Sequence, residues 1–328
     1  MRHIYFNFKS SRSLLEESSK KLYQILEESC NSCKSNMISL SGGLDSSIIA
    51  HFRNGKNPKG VAIISEDFVS TDLTYCQMIS KEMGIPLSIY NVSTSTILEA
   101  IENTIKILKN FNDIEIRNNV VMYLAIKWTK ENNQKSIITG DGADELFAGY
   151  NFLVNKSEKE LKDEIKRVCS IMHFPTQKIG KALGIEIESP FLNQKVIELA
   201  NQIPVKLKVK EENNKMYGKW ILRKTFEKHI PFQIAWRRKS PMQEGAGTSG
   251  LTNLFESVIN EESYVEKKLT VEKEDEVVIR SRESMYYYEI FKKKYGSPVN
   301  KNAENSCPYC KHEVKNSKFC RMCGAFPI

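Results

Sequence analysis

Met37-Ile38-Ser39-Leu40-Ser41-Gly42-Gly43-Leu44-Asp45-Ser46-Ser47 decides how this chain is read. Met37 to Ser41 has the length and composition of a short buried strand, Gly42-Gly43 ends it with a turn, and Ser46 to about Arg53 reads as a helix. The glycines let the backbone fold tightly and present several N–H groups, and the helix N-terminus adds partial positive charge. That order makes a pocket for a polyanion, with Ser41, Ser46 and Ser47 as further hydroxyl donors. Asp45 would be repelled by bare phosphate, so its presence points to a bridging Mg²⁺. The same residues also satisfy a plainer role, a glycine turn followed by an Asp/Ser helix cap.

Around this stretch the pattern alternates. A helix is expected from Ser13 to about Glu28, then strands at Gly60–Ser65, Leu87–Val92 and Ser136–Thr139, with helices at Thr74–Met83 and Val120–Lys130. Such alternation implies an α/β fold, a mostly parallel sheet with helices on both faces. After Tyr150 the pattern turns mainly helical up to Tyr286-Tyr287-Tyr288 and Phe291, and Gly296-Ser297-Pro298 opens an Asn/Lys-rich linker. The expected organisation is a body over 1–300 and a small zinc ribbon over 301–328.

Thr139-Gly140-Asp141-Gly142-Ala143-Asp144-Glu145-Leu146-Phe147-Ala148-Gly149-Tyr150 follows the fourth strand. It should therefore emerge with the first loop at the carboxyl edge of one sheet, where such folds bind ligands. Asp144 and Glu145 in a first helical turn also fit ordinary capping charge. The heptad Ser41–Ser47 resembles the SGGxDS loop of the ATP pyrophosphatase (PP-loop) superfamily, and the GxxxxGK[ST] loop is absent. With GDGADELFAGY about 95 residues later, the chain resembles the synthetase domain of the asparagine synthetase family. Ser189-Pro190-Phe191-Leu192, Gly218-Lys219-Trp220-Ile221-Leu222-Arg223-Lys224, Trp236-Arg237-Arg238-Lys239, Gly245-Ala246-Gly247 and Glu283-Ser284-Met285-Tyr286-Tyr287-Tyr288 continue the likeness in order.

The resemblance covers roughly residues 30 to 296 and implies a PP-loop, adenine nucleotide alpha hydrolase-like fold that cleaves ATP to AMP and PPi. By it, Asp45 and Asp144 would hold Mg²⁺, and Ser41, Gly42, Gly43, Ser46 and Ser47 would wrap the phosphates. Leu40, Ile64, Ser65 and Gly140 would lie around the adenosine. Lys239 would stabilise charge as an acyl-adenylate forms, Asp141 would be the base of the second step, and Arg117 would stand near the acyl substrate. A fixed cation near the α-phosphate stabilises a negative, pentavalent transition state whatever the family. On residue type alone, Lys239 also reads as part of a solvated basic run, and Arg117 as a surface arginine.

The chain departs from that family in three places. Glutamine-using members begin with a cysteine nucleophile in a glutaminase domain. Here residue 2 is Arg2 and about 36 residues precede the first strand, so the expectation is a chain supplied with free ammonia, a partner glutaminase or another amine. Asp141 stands where the best-known members have a glutamate. Glu188-Ser189-Pro190-Phe191-Leu192-Asn193 replaces Arg-Val-Pro-Phe-Leu-Asp, and Asn118 and Asn119 replace small hydroxyl residues, so a rewritten acyl pocket is expected.

A length of 328 residues with 41% apolar content supports a sizeable core and excludes a disordered chain. No apolar run could span a bilayer and the N-terminal residues lack a secretory signal's apolar centre, so a cytoplasmic protein without membrane contact is expected. From Phe291 onward there are eight basic residues against Glu304 and Glu313, so +6 of the net +8 belongs to the tail. Cys307-x2-Cys310 and Cys320-x2-Cys323 have the spacing of a four-thiolate structural Zn²⁺ site, with His312 a competing ligand. The ribbon reads as a clip or protein-docking surface, or as an RNA contact through its charge and an exposed Tyr309 and Phe319. Cys30-x2-Cys33 reads as incidental, as a redox pair, or as half a metal site with Cys76 or Cys169.

The leading expectation is an ATP-dependent, AMP- and PPi-forming ligase that joins a small-molecule carboxylate to ammonia or an amine. A tRNA-modifying enzyme that adenylates a base, using the ribbon to hold RNA, is the second reading. A nucleotide-binding, non-catalytic partner subunit is the third.

Overall fold

The computed structural model describes residues 2–300, 303–314 and 317–328. Five parallel strands form its centre: β1 (Met37–Ser39), β2 (Lys59–Ser65), β3 (Leu87–Val92), β4 (Ser136–Ile138) and β5 (Glu186–Glu188). Their order is β3-β2-β1-β4-β5. The chain runs outward from β1 through β2 to β3, then crosses back to place β4 on the other side of β1. The sheet therefore reverses direction at β1, and the loops after β1 and β4 flank one crevice at the carboxyl edge.

Helices cover both faces, as the alternating pattern implied: α1 (Arg2–Ser32), α2 (Leu44–Arg53), α3 (Leu73–Met83), α4 (Thr94–Leu108), α5 (Asp113–Glu131), α6 (Ala143–Leu146), α7 (Glu158–Ser170) and α8 (Pro175–Leu183). The sheet divides two apolar clusters, and successive strand residues face opposite layers. Met37 and Ile137 join the layer of Ile101, Leu124 and Ile179, whereas Ile38 and Ile138 join Leu22, Ile48 and Phe226. Eight further helices longer than three residues, among them Arg282–Tyr295, make the second half mainly helical.

Three sequence boundaries shift. β1 ends at Ser39, before Ser41, although Leu40 N–H still donates to Val61 O at 2.9 Å. α5 begins at Asp113, because Asn112 caps it by accepting from Glu115 N–H and two acidic residues occupy its first turn. β5 is a fifth strand that the pattern did not announce. It is an edge strand of Glu186, Ile187 and Glu188, without the apolar signature of its neighbours.

The cysteine segment is not a free appendage. Cys307, Cys310, Cys320 and Cys323 are all buried in the larger apolar cluster. Phe111 N–H donates to Met322 O at 2.9 Å, Val278 N–H to Tyr309 O at 2.7 Å, and Arg280 Nη2 to Cys323 O at 2.5 Å. Tyr309 and Phe319 are half-buried, whereas Phe326 is exposed. The basic residues Lys301 and Lys315 lie outside the described residues. Among the described residues, no helix is long and apolar enough to cross a membrane.

One buried cation tests the packing directly. Lys208 is 3% exposed, and burial lowers its ammonium to about 8. The unfolded chain holds that proton to higher pH than the fold does, so the stability contributed here rises between pH 8 and 10.5 and the full penalty applies below 8. Lys208→Met is expected to stabilise the fold by roughly 2–3 kcal/mol at pH 7, and urea midpoints across pH should show that gain shrinking toward pH 10.5.

Candidate active site

The crevice between the two loops is a cleft of about 590 Å³. That size suits a small-molecule ligand. Ser41, Gly43, Asp45 and Ser46 line it from the β1 side, and Thr139, Gly140, Asp141 and Asp144 from the β4 side. Gly42 sits at φ +69°, and a Cβ there would lie 2.3 Å from the Tyr75 carbonyl carbon. Only glycine makes this turn, and the turn sets the start of α2, where Ser47 N–H donates to Gly43 O at 3.0 Å. Ser46 and Ser41 hydroxyls lie 3.3 Å apart, while Ser47 is fully buried with an unpartnered Oγ.

At the centre two carboxylates from different strands share cations. Lys219 Nζ lies 2.6 Å from Asp45 Oδ2 and 2.7 Å from Asp144 Oδ1, and Lys239 Nζ lies 2.7 Å from Asp144 Oδ2. Burial would raise Asp144, but the two lysines outweigh it and hold the carboxyl well below its usual range. Burial would lower Lys239, but Asp144 and Asp45 outweigh it and keep the ammonium charged. Lys219 was present in the quoted Gly218-Lys219-Trp220 stretch without a role. Its residue number lies far from both partners, so only the folded chain brings the three together. A Cβ at Gly149 would fall 1.9 Å from Asp144 Oδ1 and 2.3 Å from Lys219 Cε, so glycine there is what admits the cluster.

Asp141 accepts from Thr176 Oγ1 at 2.5 Å and from Thr139 Oγ1 at 3.0 Å. Burial raises its carboxyl despite those hydroxyl bonds. Lys239 rides on a loop anchored next door: Arg237 Nη2 donates to Asp72 Oδ1 at 2.8 Å and its guanidinium lies 3.9 Å above the Tyr75 ring. Glu115, Asn118, Asn119, His173, Thr176 and Arg321 also line the cleft.

Several expected residues lie elsewhere. Val61, Ala62 and Ile63 line the cleft, whereas Leu40, Gly42, Ser47, Ile64, Ser65 and Arg117 are outside its lining. Arg117 Nη1 donates to Thr252 Oγ1 at 2.6 Å and its Nε lies 3.4 Å from Glu283, so it pins α5 to the helix Arg282–Tyr295. Glu188 and Asn193 are outside the cleft lining. Glu188 accepts from the Lys34 and Ser35 N–H groups at 2.6 and 2.8 Å, and Asn193 caps the helix Gln194–Gln202. Asn118 and Asn119 do reach the cleft.

Among the described residues, Cys30 and Cys33 do not join Cys76 or Cys169 in a group of three or more potential metal ligands. Burial pushes Cys33 and Cys76 up to about 11 and Cys30 higher still, so none is a ready thiolate. Among the described residues, the four tail cysteines are the one group of three or more His, Cys, Asp or Glu side chains placed to hold a metal, with all four Sγ atoms within 4.8 Å of one another. His312 is turned away, with Nδ1 3.2 Å from Pro298 O.

Removing Lys219 strips the shared cation from two carboxylates. Lys219→Met is expected to cost about 3–5 kcal/mol of stability at pH 7, read as a shift in urea midpoint that shrinks as pH falls through the carboxylate range. A variant as stable as the parent at pH 7 would refute the bridging role.

Comparison with known proteins agrees with this geometry. The asparagine synthase family model matches residues 20–168 and 164–306. Asparagine synthetase B (glutamine-hydrolyzing) of Escherichia coli (strain K12) is 29% identical over 308 residues, covering 85% of this chain and 54% of the relative. A probable asparagine synthetase (glutamine-hydrolyzing) of Dictyostelium discoideum is 27% identical over 251 residues, covering 68% and 45%. A putative asparagine synthetase (glutamine-hydrolyzing) 1 of Methanocaldococcus jannaschii is 27% identical over 243 residues, covering 63% and 45%. The chain spans about half the length of the curated relatives it matches. The match ends at residue 306, before the first tail cysteine. With the glycine loop, the Asp45–Lys219–Asp144 bridge and the aligned stretch in agreement, the chain belongs to the asparagine synthase family.

Proposed function

We propose that this chain is an ATP-dependent ligase that adenylates a carboxylate, releases PPi, and passes the acyl group to ammonia or an amine with loss of AMP. The observation that carries this reading is the Lys239–Asp144–Lys219–Asp45 chain of alternating charge, set beside a glycine loop at the sheet's switch point. Backbone N–H groups around Gly43 and the α2 N-terminus suit the departing phosphates. Lys239, charged and partly exposed to the cleft, suits the negative charge that gathers on the α-phosphate as the substrate carboxylate attacks. Asp45 Oδ1 is buried without a hydrogen-bond partner, and with Asp144 it forms a donor set fit for Mg²⁺. That cation, when bound, would neutralise charge on the leaving pyrophosphate.

In the second step the nitrogen attacks the acyl carbon, the bond to AMP breaks, and a proton leaves the nitrogen. Asp141 suits that proton, because a carboxyl raised by burial is a stronger base than an ordinary one. Thr139 and Thr176 orient it. Ammonia could come from solution or from a separate glutaminase. The RNA reading has weaker support, since Arg321 lines the cleft and Tyr309 and Phe319 are half-buried.

Purified protein with Mg·ATP should exchange labelled PPi into ATP when a suitable carboxylate is added, and Asp45→Ala should abolish the exchange. Failure with every carboxylate in a broad panel defeats the proposal. Asp141→Asn should cut amide formation by about 10²-fold or more and leave exchange largely intact. Amide formation should fall as pH drops through the raised Asp141 value, an acid limb the exchange reaction lacks.

For the tail we propose structural Zn²⁺. Cys307–Cys323 and Cys310–Cys320 Sγ separations are 3.7 and 3.6 Å. A tetrahedron with Zn–S bonds of about 2.3 Å has edges of about 3.8 Å. Elemental analysis should find one zinc per chain, lost in Cys320→Ser; a metal-free, fully folded parent chain would exclude the site.

A further inference from the structure

We propose that Arg321, carried by the second cysteine knuckle, is a specificity-determining residue that binds a second anionic group on the acyl substrate. This rests on the ligase reading for the word substrate, but the anion site itself stands on geometry. Arg321 lines the same cleft as Lys239 and Asp141, as do Glu115, Asn118, Asn119 and His173.

The arginine is exposed yet held. Its Nη2 donates to Ile171 O at 2.5 Å, at the C-terminal cap of α7. On either side Cys320 and Cys323 are buried, and the adjacent Met322 O takes the Phe111 N–H. The knuckle turn is closed by Gly324 N–H to Cys320 O at 2.8 Å and Cys320 N–H to Ala325 O at 2.9 Å. One guanidinium nitrogen is thus committed to a neutral carbonyl. A guanidinium carries five donors in a fixed fork that matches a carboxylate or phosphate. Among the described residues, no Asp or Glu oxygen lies within 4.0 Å of it.

Lys219 and Lys239 are matched by Asp45 and Asp144 and Arg237 by Asp72, while Arg223 donates to the Gly218, Ala235 and Arg237 carbonyls; Arg238, beside Lys239, and Arg321 are the cleft arginines without an ion pair among the described residues. In the same cleft, Glu115 lies 3.6 Å from His173 and accepts from Asn110 at 2.9 Å. Arg321 is thus the unpaired cleft arginine that the tail supplies, with one donor on Ile171 O and the rest of its fork uncommitted to any carboxylate among the described residues. It also lies beyond residue 306, where the family match ends, so this contact belongs to the tail that the family model does not cover.

The test uses the zinc-loaded chain and a matched pair of probes, succinate and butyrate, which differ by one carboxylate. Titration calorimetry should give at least about tenfold tighter binding of succinate. Arg321→Ala should bring the two probes to parity, and Arg321→Lys should restore part of the preference, with zinc content and circular dichroism unchanged. No succinate preference in the parent, or a preference that survives Arg321→Ala, overturns the proposal. PPi exchange is measured alongside. A succinate preference without exchange for any carboxylate sinks the ligase reading alone; exchange with the preference intact in Arg321→Ala sinks the anion site alone.

Discussion

Asp45 and Asp144 stand in the first turns of α2 and α6, the helices that follow the adjacent parallel strands β1 and β4, and parallel strands deliver their C-terminal loops to one edge. Two carboxylates brought that close repel one another unless something cationic is set between them. Lys219 does this from a segment distant in sequence, at 2.6 and 2.7 Å, with its own side chain only 3% exposed. The arrangement ties three parts of the chain to a single point: the turn after β1, the turn after β4, and the helical second half. Much else in the region follows from giving that point room.

The room is made by glycine and by one unusual backbone residue. Gly149 is the only residue type whose side chain leaves space for Asp144 and Lys219 to meet. Lys219 itself lies at φ 54°, in the left-handed region, with its N–H on Phe147 O at 3.0 Å. A β-branched or bulky residue adopts that conformation at a cost of order 1–3 kcal/mol. Here the surrounding contacts impose it. Around the point, Arg237 and Asp72 fasten the loop that carries Lys239, so both ammonium groups approach Asp144 from fixed supports.

The central sheet and both cleft loops were legible because their signals are local: apolar runs of strand length, glycines at turns, and an Asp placed where a phosphate loop would want a cation. What was not legible is either weakly patterned or made by tertiary contact. β5 is two glutamates around one isoleucine, and its identity comes from pairing with β4. Glu188 looked like a change of substrate chemistry, but its carboxylate closes a backbone turn before β1. Arg117 looked like a substrate contact, yet it is spent on Glu283 and Thr252. Arg321 looked like one more charge in a basic tail. Its place in the cleft wall depends on a hydrogen bond across 150 residues of sequence.

That last contact orders events during synthesis. Ile171 leaves the ribosome 150 residues before Arg321. At about 5–20 residues per second, roughly 8–30 s pass between the two, and Lys219 and Lys239 are themselves made within that interval. For that interval Phe111, at the approach to α5, still waits for the knuckle whose Met322 carbonyl takes its N–H. The lining of the cleft is then complete only once the growing chain has brought the knuckle of Cys320 and Cys323 home.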